Sequence, residues 1–128
     1  MQGYIHDIEK ATLENADYRR VLYTTKNSQL VVMCIQAGDE IGVETHTHDQ
    51  FLRLEQGEAK VIIDDVETKV DNGFAIVIPA GAKHNIINTG PEALKLYSIY
   101  SPPEHKHGTI TRIKSEEIEE HFDGVTSE

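Results

Sequence analysis

A chain of 128 residues with one Cys, no Trp, seven His and a formal charge of −10 has room for a single hydrophobic core. The lone Cys34 excludes an internal disulfide framework and any multi-cysteine zinc site, so packing alone must hold the fold, which fits a reducing, cytoplasmic setting. Hydrophobic residues at 38% and charged residues at 27% are globular proportions, no apolar run approaches the length of a membrane span, and MQGYIHDIEK has no secretory pattern, so neither a membrane segment nor a leader is expected.

In chain order, Ala11 to Tyr18 reads as a helical turn or two. Short β-type runs follow: Arg19 to Thr24, Leu30 to Ile35, Gln50 to Glu55, Ala59 to Ile63, Val66 to Val70, Phe74 to Ile78, Lys83 to Asn88 and Leu94 to Tyr100. Turn formers separate them, among them Ala37-Gly38-Asp39, Asp64-Asp65, Asp71-Asn72-Gly73 and Pro79-Ala80-Gly81. Short strands at close, fairly regular spacing predict an all-β sandwich or barrel, here one domain over 1–128 with its core over about 19–101. The last residues, 115–128, carry six acids and no base, which leaves −4 for the rest. They read as a solvated acidic tail or short helix with Ser115 as N-cap. No nucleic-acid partner is expected of a chain with this balance.

Two spacings carry the chemistry. The second reads Gly73, five residues, Pro79, one residue, Gly81, two residues, His84, three residues, Asn88. Gly73 closes a hairpin, Pro79 and Gly81 build a turn at a sheet end, and His84 opens a strand on which His84, Ile86 and Asn88 share one face. This run matches the second motif of the cupin family at every position. The first spacing resembles the first cupin motif, a Gly, five residues, His-x-His, three or four residues, Glu, six residues, Gly. Gly38, Glu44, His46, Gln50 and Gly57 satisfy all of its spacings, with Glu44 in place of the first His and Gln50 in place of the Glu. In the alternative register His46 and His48 form the His pair, but only Asp49 then separates them from Gln50. Both registers keep His46, Gln50 and His84.

The resemblance implies a double-stranded β-helix, or jelly-roll barrel, with a divalent metal in its mouth and commonly a homodimer that pairs edge strands. In the first register the ligands are Glu44, His46, Gln50 and His84, an N/O set suited to Zn, Fe, Mn, Ni or Co. DQFLRLEQG and LKLYSIYSPPEH look like a group of small cupins labelled mannose-6-phosphate isomerase-like; a fold label does not carry an activity. The expected function is a metal-dependent enzyme on a small polar molecule, a sugar or keto-acid isomerase or a dioxygenase, the alternative being a non-catalytic small-molecule binding or sensor module. Gln50 and Glu44 in place of the usual ligands weigh against dioxygenation. Period-two counting turns Tyr100 inward as a pocket candidate and Lys95 to solvent. Cys34 reads as a packed thiol. His105-Lys106-His107 reads as surface, and His6 and His121 carry no expected role.

Overall fold

The computed structural model describes residues 1–128. Nine strands form: β1 Arg19–Thr24, β2 Gln29–Ile35, β3 Asp49–Gln56, β4 Glu58–Ile63, β5 Val66–Asp71, β6 Ala75–Ile78, β7 His84–Asn88, β8 Leu94–Ser101 and β9 Ile110–Thr111. All pairings are antiparallel, in a six-stranded sheet of order β6-β3-β8-β2-β1-β9 and a three-stranded sheet of order β5-β4-β7. The two sheets face each other across one core, the jelly-roll arrangement that the motifs imply. Val31, Met33, Ile35, Leu52, Leu54, Val61, Ile86, Leu94 and Leu96 fill the space between them. Each of these residues comes from one face of an alternating strand, which is what period-two burial requires.

Strand β2 departs from alternation, because Val32 and Cys34 on its outer face are buried as well. The cover is a helix, α1 Ile8–Glu14, which packs on β8, β3 and β2. The helix lies earlier in the chain than Ala11 to Tyr18. Asp7 caps its start by accepting a hydrogen bond from the Lys10 amide at 3.1 Å, and Asn15 ends it with two bonds to the Asp17 backbone. Lys95, expected in solvent, lies on that covered side, and its Nζ donates to the Leu13 carbonyl at 2.6 Å. A cation at a helix C-terminus meets unpaired carbonyls and the negative dipole end.

The glycine that ends the first motif and the one that opens the second have backbone reasons. Gly57 has φ +101°, and a Cβ there would meet the Leu94 Cα at 3.2 Å and the Ala93 carbonyl oxygen at 3.3 Å. Gly73 has φ +91° in the turn before β6. Asn88 is a hub for the following loop, donating to the Ile35 and Glu92 carbonyls and accepting from the Gly90 amide.

The acidic segment differs from a free tail. It holds one 3-10 turn, Lys114–Glu116, in which Ser115 is an interior residue and makes no capping bond. Beyond it the chain is extended and tied down: Glu117 pairs with Arg19, the Phe122 amide donates to the Glu104 carbonyl at 2.9 Å, and the Ser127 amide donates to the Thr24 carbonyl at 2.9 Å. Glu128 accepts from Tyr23 and from the amides of Gln2 and Gly3. No helix is long and apolar enough to cross a membrane.

Candidate metal centre

The segment before β3 runs beside β7. Ile41 donates to the Ile86 carbonyl at 3.0 Å, and Glu44 and His84 exchange both backbone bonds at 2.9 Å. This pairing sets the Glu44 side chain beside His84 at the open end of the barrel. Gly81, whose positive φ shapes the turn before β7, donates to the His46 carbonyl at 2.8 Å and fixes the next residue of the motif. Thr47 and His48 form the bend into β3, and Gln50 follows inside that strand, opposite Ile78 and Tyr100.

The ligand atoms of Glu44, His46 and His84 lie within 4.8 Å of one another. His84 Nδ1 sits 3.0 Å from the Ala82 carbonyl oxygen, an arrangement that assigns Nδ1 the proton and leaves Nε2 with the lone pair. Gln50 Nε2 donates to Ser98 Oγ at 3.0 Å, while its Oε1 is buried without a partner. Glu44, Gln50 and His84 share a void of about 10 Å³, closed by Ile41 and Tyr100. That is the scale of one ion or water. A carboxylate, an imidazole and an orphaned amide oxygen line this void, and the His46 ligand atom lies within 4.8 Å of those of Glu44 and His84; the four together fit a divalent cation.

His48 stands elsewhere. Its ring stacks on His46 with centroids 4.6 Å apart, and its Nδ1 lies 3.2 Å from Glu104, a residue that no spacing in the sequence singled out. His46, His48 and Glu104 form a second group of ligand atoms within 4.8 Å of one another. Tyr100 faces inward as counted, 3% exposed, with its ring edge against His46, His48 and His105.

Above the void opens a cleft of about 450 Å³. Two residues read as surface or roleless, His105 and His121, line it, and their backbones form a bridge. The acidic segment reaches it too, through Glu117, Glu119 and Glu120. The sequence conceals this because a loop and a tail have no periodicity from which to read a facing direction; the one signal was the double Pro102-Pro103 preceding Glu104-His105, which restricts the path of the loop.

The electrostatics follow from burial and pairing. Burial alone would raise the Glu44 carboxyl, but the hydrogen bond from His46 at 2.6 Å and the nearby charges of His46, Arg19 and His84 outweigh it and hold it below the ordinary value. The same bond raises His46 against the opposing effect of burial. His48 is driven down to about 4, by burial and then by the charge of His46. His105 falls to about 2, chiefly through burial and Arg19. Tyr100 is raised by burial. Cys34 is a packed thiol raised by burial, away from both groups.

Comparison with known proteins agrees with the fold. Residues 31–100 match the family model described as Cupin domain. An uncharacterized protein of Bacillus subtilis, YrkC, is 41% identical over 122 residues, which cover 90% of this chain; the chain spans 66% of that relative's length. A crystal structure of a Bacillus halodurans protein superposes with a TM-score of 0.88 at 42% identity, covering 90% of this chain and 92% of the other. An RmlC-like cupin from Shewanella frigidimarina superposes with a TM-score of 0.61 at 25% identity, covering 66% and 74%. The motif spacings, the two facing sheets and these matches together establish that the chain belongs to the cupin family.

Proposed function

We propose that this cupin holds a divalent cation with Glu44, His46, Gln50 and His84 and acts as a metal-dependent enzyme on a small polar molecule entering the cleft. The observation that carries the reading is a void lined by Glu44, His84 and Gln50, whose buried Oε1 has no partner, with the His46 ligand atom within 4.8 Å of those of Glu44 and His84. Bound there, a divalent ion would supply Lewis-acid polarisation of a hydroxyl or carbonyl group.

The chain's own residues have separate tasks. Ser98 holds the Gln50 amide, and the Ala82 carbonyl fixes the His84 tautomer. Tyr100 walls the void and excludes water from it. Glu44, open to the cleft at one oxygen's reach from His46, is the group placed to carry a proton in an isomerisation. The acidic lining supports a neutral polar molecule such as an unphosphorylated sugar over a keto acid or a sugar phosphate. A homodimer through edge strands belongs to the same reading. The alternative, a non-catalytic binding module, is favoured by the Glu44–His46 pair, which satisfies itself in the absence of a cation.

The test is elemental analysis of untagged protein after supplementation with Zn, Fe, Mn and Ni, with His84→Ala and Glu44→Gln alongside. About one equivalent, lost in both variants, is the expected result. Metal at background in the unmutated chain sinks the proposal. Retained metal without turnover of any sugar or keto compound favours the binding module.

A further inference from the structure

His46 presents its two ring nitrogens to two different groups. Nε2 is 2.6 Å from Glu44, while Nδ1 is 3.8 Å from Glu104. Glu104 is the centre of the second group: one oxygen lies 3.2 Å from His48 Nδ1 and the other 3.2 Å from His121 Nδ1. His48 is almost fully buried, and its far nitrogen has no partner, so a proton on Nδ1 or a cation at Nδ1 is what the site has to offer that ring. Glu104, from the loop after β8, therefore gathers three imidazoles drawn from two separated stretches of chain: His46 and His48 before β3, and His121 in the C-terminal segment.

We propose that His48 and Glu104, with His46 Nδ1 beside them, form a second divalent-cation site at the outer rim of the cleft, that the exposed His121 side chain, 3.2 Å from Glu104 and outside the three ligand atoms that already meet, turns in to close it, and that the ion it takes is of the zinc class. Two imidazoles and one carboxylate with solvent in the fourth position suit tetrahedral zinc, whereas the inner set adds an amide oxygen and is harder. A neutral imidazole has one lone pair, so His46 serves the outer ion only when its Nε2 is not engaged within. The outer ion is then held by His48, Glu104 and His121 with solvent in the fourth position. Because His121 comes from the C-terminal segment, the ion also fastens that segment across the cleft. The site has its own donors and stands whether or not the inner one is filled.

The experiment is equilibrium dialysis of the untagged full chain against Zn²⁺ followed by elemental analysis, paired with limited trypsin digestion after Arg112 and Lys114. Glu104→Gln, His48→Ala and His121→Ala are compared with Glu44→Gln and His84→Ala, and with His107→Ala, which belongs to neither group. The outer site predicts loss of about one zinc equivalent in Glu104→Gln and His48→Ala, and weakening by at least about tenfold in His121→Ala, whose exposed side chain leaves the fold intact. It also predicts that zinc slows cleavage of the segment in the unmutated chain and not in His121→Ala. Zinc content and cleavage unchanged in all three outer variants overturn the outer site, and if Glu44→Gln and His84→Ala then lose metal the inner reading survives alone. Loss confined to the outer variants overturns the inner reading and leaves the outer site standing.

Discussion

Tyr18 shows how one buried atom sets a pH response. Its ring is in the core, 3% exposed, and its hydroxyl has no hydrogen-bond partner. Burial raises the phenol to about 12. An acid whose folded value is raised holds its proton where the unfolded chain has lost it, so its contribution is complete below about 10 and is lost as pH rises towards 12. The expected fall over that interval is on the order of 2–3 kcal/mol from Tyr18. Urea denaturation at pH 9 and pH 11 should show about half of it, and Tyr18→Phe should be neutral or stabilising at pH 7 while flattening the alkaline slope. An unchanged slope in Tyr18→Phe would assign the fall to Tyr100 and the lysines. At this scale His46, Gln50, His84 and Tyr100 were legible, because family spacing and strand alternation specify direction. Arg19 and Glu104 were not, since their roles arise from partners distant in sequence, Glu117 for Arg19 and His48 for Glu104.

Among the elements, the eight longer strands were legible to within a residue or two, because turn formers bound them and a half-buried strand alternates. Helix α1 was misplaced by a few residues because its cap, Asp7, precedes a segment with little apolar period. Its effect on β2 and Lys95 was hidden, since covering an outer sheet face requires a docking that no local pattern records. Strand β6 is an edge of the larger sheet, and Val77 on it is 63% exposed beside the exposed Phe74. An apolar free edge is a pairing surface. A dimer through this edge is expected by light scattering at micromolar concentration, with Val77→Lys shifting it towards monomer. A monomeric unmutated chain would remove dimerisation from the reading.

Over the whole molecule, charge has moved from the tail to the site. The cleft is lined by Glu44, Glu104, Glu117, Glu119 and Glu120, against Arg19 as its one lysine or arginine, and Arg19 is itself paired with Glu117. A recessed surface of one sign concentrates its field. A phosphorylated sugar should therefore bind more weakly than the matching free sugar, and the gap should narrow as salt is added. Tighter binding of the phosphate at low salt would contradict this lining as a determinant. The sequence by itself determined the barrel and eight of its nine strands and singled out Glu44, His46, Gln50 and His84 as candidates, because alternation, turn chemistry and motif spacing act over a few residues. Only the tertiary structure decided that His48 turns to Glu104, that His105 and His121 reach the cleft, and that the acidic segment closes over it. Those contacts join loops and a terminus, where direction depends on what the folded barrel presents and no periodic pattern encodes it.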